Sequence, residues 1–290
     1  MKQQQDNTNG QTTVSDQLKQ RVITSVVIGV IGSLVLCLSH VRWLFRVVIT
    51  LFSIGAEVEL ININHFKGRW LFLFALSALA VLISAGDIPF YYPMILLILV
   101  VVLCTFSTVI VFIERRQRQP KPIFPLQLAL SIACILFFHA AIEIRYQEKG
   151  LLYLLMTVIC TSATDIFAYF VGRTFGRHKL APRTSPSKTI EGAAGGIVAA
   201  VAAALLTGAV VQRIGAARMN AVELLIYALA ISVIGQFGDL SLSTVKRMAK
   251  IKDFGSLMPG HGGIFDRFDS LLFALPLTFV LYNLGIRCFV

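Results

Sequence analysis

Long apolar runs separated by short polar or charged segments dominate the chain. They fall at about 22–40, 43–60, 70–86, 93–113, 123–142, 151–171, 190–211, 221–239 and 268–290, and as helices each is long enough to cross the ~30 Å hydrocarbon layer of a membrane. The pattern predicts an all-α, polytopic integral membrane protein with about nine transmembrane helices. Glu57 and Glu59 interrupt the second run, and Asp87 closes the third. The first 20 residues hold only Met1, Val14 and Leu18 as strongly apolar side chains, so residues 1–20 read as a disordered polar tail. A signal peptide would begin with a short basic segment and end in a small-residue cleavage site; neither pattern is present, so the first span is expected to stay in place.

Composition agrees with that picture. Hydrophobic residues make up 56% of the chain, charged residues 14%, and the mean hydropathy is +0.77, whereas about a quarter of a globular chain is charged. The distribution of the 26 Lys and Arg residues sets an orientation. With the N-terminus cytoplasmic, the outer segments keep only Arg42, Arg46, Arg145, Lys149, Arg213, Arg218 and Arg287, and all the other basic residues fall inside, as cytoplasmic loops require. Two inner loops, 172–189 and 240–267, each combine five basic residues with a His. Anionic lipid headgroups attract any such loop. The five cysteines, Cys37, Cys104, Cys134, Cys160 and Cys288, lie in apolar runs without metal-like spacing and read as packing residues.

The acids change the picture more than the bases do. Asp165 lies six residues before the inner end of its run, about 9 Å deep at the rise of a helix. Asp239 ends the eighth run, and Asp266 and Asp269 open the ninth, sharing a face of that helix at i and i+3. Four carboxylates thus converge on one boundary. Each alone could be an ion pair with a neighbouring Lys or Arg, but simple neutralisation needs no cluster of like charges. Ionisable groups at membrane depth face a protein interior or a wet cavity. Oxygen donors in low number suit Mg²⁺, which keeps waters and bridges phosphates.

The neighbouring residues fit an anionic partner. Lys246 and Lys250 share a face if 241–250 is helical, with Arg247 beside them. Gly260, Gly262 and Gly263 free the backbone to aim N–H groups at an anion after the rigid Pro259. His261, flanked by glycine, is either structural or able to donate a hydrogen bond to phosphate or transfer a proton. Gly192, Ala193, Gly195 and Gly196 allow close helix packing, for the site or simply for the core. There is no Gly-rich approach to Ser187-Lys188-Thr189, as a phosphate loop needs, and no zinc spacing. The basic loops lack interleaved aromatics, so nucleic acid is not an expected partner.

The run Ser243, Lys246-Arg247, Lys252-Asp253, Gly255, Pro259, His261-Gly262-Gly263, Asp266-Arg267 and Asp269 resembles the signature of the phosphatidate cytidylyltransferase (CDP-diacylglycerol synthase) family. A second stretch agrees in order: Asp165, Ala168-Tyr169, Gly172-Arg173, Gly176-Arg177, His178 to Pro182, Ser185-Pro186, Lys188-Thr189 and Glu191-Gly192. Gly238-Asp239-Leu240 is a third match. The resemblance covers about 151–285; upstream only the hydropathy agrees. Met258 stands where the family usually has Leu, Ile or Phe, and Ile190 where it often has Trp.

That resemblance implies transfer of a cytidylyl group from CTP to phosphatidic acid, giving CDP-diacylglycerol and pyrophosphate. It implies Asp239 and Asp266 as metal ligands with Asp165 and Asp269 as neighbours, and Mg²⁺ as cofactor with K⁺ beside it. Asp239, Asp266, Lys246, Arg247, His261 and Arg267 are the expected catalytic residues. Lys188, Ser185, Thr189, Lys179, Lys252, Gly262 and Gly263 are the expected substrate-binding ones. Residues 1–20 would be the tail, 21–145 the N-terminal helices and 146–290 the catalytic transmembrane domain. The site would face the cytoplasm from a bacterial-type inner membrane, with membrane lipids and a second copy of the chain as further partners. A CTP-dependent transferase or kinase acting on another lipid or polyprenyl phosphate would share these features. An ion-coupled transporter would instead place its acids at mid-membrane in two similar halves.

Overall fold

The structure, a computed structural model, describes residues 26–27, 29–30, 32–62, 77, 81, 123–182, 184–255 and 263–290. The expected tail, the run at 93–113 and, apart from residues 77 and 81, the run at 70–86 lie outside the described residues. A 3₁₀ turn, Leu38–His40, leads into α1 (Arg42–Asn62), α2 (Ile123–Arg145) and α3 (Gly150–Phe175). A ribbon of β1 (Lys179–Ala181) and β2 (Ser185–Thr189) follows, then α4 (Ile190–Arg213), α5 (Ala221–Met248), the single turn α6 (Ile264–Arg267) and α7 (Asp269–Asn283). Of these, α3, α4 and α5 are long and apolar enough to cross a membrane, and α7 is a shorter apolar helix.

The structure corrects the sequence reading in five places. The all-α expectation misses the antiparallel ribbon, in which Lys179 pairs with Thr189 and Ala181 with Ser185. Glu57 and Glu59 do not interrupt their helix, because α1 runs through both and buries them. Both α3 and α5 outrun their apolar stretches, since helical backbone bonds continue under polar side chains. Asp165 and Asp239 therefore sit well inside their helices, about 14 Å from the C-terminal ends. Finally, α5 stops at Met248 and Lys250 adopts a left-handed conformation at φ 57°, so Lys246 and Lys250 share no helix face. The helix expected over 268–290 likewise breaks at Phe268 (φ −106°, ψ 8°), placing Asp266 and Asp269 on separate elements, and ends at Asn283.

Helices α3, α4, α5 and α7 alternate in direction and pack closely. One face of α4 presents Gly192, Gly196, Ala200 and Ala204 at intervals of four, all buried. A Cβ on Gly192 would lie 2.6 Å from the Ala168 carbonyl oxygen, and one on Gly196 would lie 2.8 Å from that of Thr164. Only glycine allows the two backbones this approach. Hydroxyl groups tie the interior together: Thr157 Oγ1 lies 2.7 Å from the Tyr227 hydroxyl and 2.9 Å from Thr278 Oγ1, joining α3, α5 and α7. Thr164 donates to Ser232 at 2.7 Å. Tyr153, Tyr227, Phe137 and Phe273 fill the core around them. Cys134, Cys160 and Cys288 are buried free thiols, as packing residues should be, whereas Cys37 is exposed.

Candidate active site

The alternating directions bring the end of α3, the ribbon, the end of α5, α6 and the start of α7 to one end of the bundle. Thr189 shapes the turn from ribbon to helix. It caps α4 by accepting the Gly192 N–H at 3.1 Å, and Gly172 of α3 leaves room for its side chain. This fixes the neighbouring Lys188, which forms an ion pair with Asp239 of α5. Ser243, one turn further along α5, donates to Asp239 Oδ1 at 3.4 Å. Ribbon and α5 are also joined by Arg247, whose Nε donates to the Thr184 carbonyl at 3.4 Å. On the ribbon's other side, His178 Nδ1 lies 2.6 Å from Glu191 Oε1.

Asp165 and Asp269 gather around the same point. Each lies near enough to Asp239 for their charges to interact, and Lys188 and Lys246 lie within electrostatic reach of Asp165 and Asp269 respectively. Ser270 links the two acids: its hydroxyl lies 3.2 Å from Asp165 Oδ2 and 3.5 Å from Asp269 Oδ1, and its N–H donates to Asp269 Oδ1 at 2.8 Å. Three carboxylates from three helices thus share one neighbourhood with two lysines.

Asp266 is held differently. Its side chain is 3% exposed, and Oδ1 accepts from Lys246 Nζ at 3.0 Å. Oδ2 accepts the Phe254 N–H at 2.8 Å and the Gly263 N–H at 3.1 Å. Lys246, itself 12% exposed, also lies over the Phe254 ring at 5.4 Å. Such a buried pair persists because each charge is compensated; removing one partner would strand the other.

The remaining expected residues divide clearly. Lys179, Lys252 and Arg267 are exposed, and Ser185 is partly buried on β2. Gly263 contributes the N–H described above. His261 and Gly262 lie outside the described residues. Sequence reading did not pick out Ser270, although its place beside Asp269 was a usable signal. It noted Glu59 without finding its partners: Glu59 Oε1 accepts the Ile264 N–H at 2.8 Å, and Oε2 accepts that of Phe265 at 2.9 Å.

Among the described residues, no three His, Cys, Asp or Glu side chains come close enough to hold a metal ion by themselves. The donor chemistry nevertheless suits a hard divalent cation: carboxylate oxygens cluster, and lysine ammonium groups already stand against Asp239 and Asp266 in the position of a cation. Mg²⁺ needs only one or two carboxylates, with waters and substrate phosphates completing its shell.

Comparison with known proteins identifies the family of the chain. A sequence model of the cytidylyltransferase family matches residues 19–285. The chain is 30% identical over 273 residues to a phosphatidate cytidylyltransferase of Thermotoga maritima, an alignment covering 93% of this chain and 97% of that one. It is 45% identical over 148 residues to a phosphatidate cytidylyltransferase of Bacillus subtilis, covering 51% of this chain and 54% of the relative. A Staphylococcus epidermidis protein of the same name is 44% identical over 135 residues, covering 47% of this chain and 50% of that one. The chain thus spans about half the length of the Bacillus and Staphylococcus relatives and nearly all of the Thermotoga one. Matched from residue 19 to residue 285, the chain belongs to the cytidylyltransferase family.

Proposed function

We propose that this protein transfers a cytidylyl group from CTP to phosphatidic acid, giving CDP-diacylglycerol and pyrophosphate, within a bacterial membrane. The observation that carries the reading is the convergence of Lys188, Asp239, Asp165, Asp269, Lys246 and Asp266 at one end of an apolar helix bundle in a chain of this family. A phosphate oxygen of the lipid attacks the α-phosphorus of CTP, the bond to the bridging oxygen breaks, and pyrophosphate leaves. Both reactants are strongly anionic, so positioning and charge stabilisation supply most of the acceleration. Lys188 and Lys246 neutralise phosphate charge, with Arg247, Arg267, Lys179 and Lys252 adding cations at the rim. His261, Gly262, Gly263, Ser185 and Thr189 serve substrate binding and proton transfer. Asp239 and Asp266, with Asp165 and Asp269 beside them, would hold Mg²⁺, which when bound supplies neutralisation of the triphosphate; K⁺ beside it belongs to the same proposal.

The finer topology is part of this reading. Nine spans with a cytoplasmic N-terminus put the site at the cytoplasmic face of an inner membrane, where soluble CTP meets a lipid phosphate. The basic loops support that side. Assembly as a homodimer is likewise proposed.

Purified protein in detergent, given labelled CTP, Mg²⁺ and a panel of lipid phosphates, tests the reading. CDP-diacylglycerol formed with phosphatidic acid alone supports it. Product only with a polyprenyl or other lipid phosphate overturns the substrate, and no nucleotide consumption with any acceptor overturns the reaction.

A further inference from the structure

We infer that Glu59, in the N-terminal half of the chain, is a positioning residue for the transfer site, holding the backbone that carries Asp266; this rests on the reaction proposed above. Glu59 lies near the end of α1, an otherwise largely apolar helix, and is 5% exposed. A carboxylate in such a place is costly unless its oxygens are satisfied. Both are, and by one short stretch: Ile264 and Phe265 donate their N–H groups to Oε1 and Oε2 at 2.8 and 2.9 Å, across more than 200 residues of sequence.

Two glycines complete the fit. A Cβ on Gly255 would lie 2.5 Å from the Glu59 carboxyl carbon, and one on Gly263 would lie 2.3 Å from Oε2. The backbone on either side of 256–262 is thus pressed against one carboxylate, which any larger residue would displace. Asp266 grips the same backbone from the other side through the N–H groups of Phe254 and Gly263. Consecutive amides 263, 264 and 265 therefore point at two carboxylates, one from Asp266 and one from Glu59. With Gly263 to Phe265 held by α1, the Asp266 oxygen facing Lys246 is fixed without any rearrangement when substrate arrives. Glu57, two residues earlier, is buried as well but makes no such bonds to this backbone: its carboxyl faces Ser131 and Cys134 of α2 instead.

The contrast between the two acids provides the test. Full-length Glu59→Gln keeps the side-chain shape but turns an NH₂ toward one backbone N–H. Its kcat for CDP-diacylglycerol formation should fall about tenfold or more, while KM for CTP stays close to wild type and the thermal midpoint falls only by what one lost buried hydrogen bond costs. Glu59→Asp, which retains both oxygens, should recover part of the loss, and Glu57→Gln should leave kcat within about twofold on the same reasoning. Equal losses in Glu57→Gln and Glu59→Gln, or a Glu59→Gln kcat within twofold of wild type, would overturn the inference. Should Glu59→Gln not fold, amide exchange on the wild-type protein decides: slow exchange at Ile264 and Phe265 supports the clasp, and fast exchange refutes it. Wild-type protein without any transfer activity would instead refute the proposed reaction, leaving the exchange result to be read on its own.

Discussion

Replacing Lys246 by Met removes an ammonium from a site where its partner cannot reach water. Asp266 is 3% exposed and would keep only the N–H groups of Phe254 and Gly263. Stranding one member of a buried pair costs about 3–5 kcal/mol, and the two surviving charge-assisted hydrogen bonds offset part of it. A net loss of about 2–3 kcal/mol remains, equivalent to a fall of roughly 5–10 °C in Tm for a chain of this size. Asp266→Asn strands the lysine instead and should abolish turnover while still inserting into the membrane. The double variant leaves neither charge buried alone, so it should be more stable than the sum of the two single losses by at least about 1 kcal/mol. Thermal unfolding of the four proteins in one detergent measures the cycle. Additivity to within about 0.5 kcal/mol would show that the two groups do not depend on each other and would refute the reasoning.

Three further outcomes separate chemistry from packing. Lys188→Met breaks the partly exposed pair with Asp239, so stability should fall by no more than about 1 kcal/mol while turnover drops about a hundredfold or more, read from parallel Tm and initial-rate measurements. Tyr227→Phe removes the hydroxyl shared with Thr157 and Thr278 and should cost about 1 kcal/mol with kcat unchanged. Gly196→Ala forces a methyl against the Thr164 carbonyl and should lower stability by about 1–3 kcal/mol; an unchanged Tm would mean that α3 and α4 are not so close.

Hydropathy made the helices around the site legible, because an apolar run of membrane length has few other folds available to it. Helix ends were not legible in the same way. The stretch from Ser241 to Met248 carries Ser, Lys and Arg yet continues α5 by eight residues, since Ser241 returns its hydroxyl to the Phe237 carbonyl, Lys246 pairs with Asp266 and Arg247 reaches the surface. The ribbon was hidden for a related reason: Lys179–Ala181 and Ser185–Thr189 are too short and too polar for an alternating pattern, and their place depends on Arg247 and Glu191, which are remote or follow later. The charged candidates Asp165, Asp239, Asp266 and Lys188 stood out because charge is expensive beside hydrocarbon. Which charge meets which could not be read from spacing, and Glu59 shows why: its partners lie at Ile264 and Phe265, in another part of the chain altogether.

Following the fate of each phosphorus of CTP is the most direct test of the central claim, that carboxylates and lysines gathered at one end of this bundle perform cytidylyl transfer. Protein supplied with phosphatidic acid and CTP labelled at either the α- or the γ-phosphorus should place the α-label in the lipid product and release the γ-label entirely as pyrophosphate. Appearance of the γ-label in lipid, or of free pyrophosphate with no labelled lipid, would contradict it.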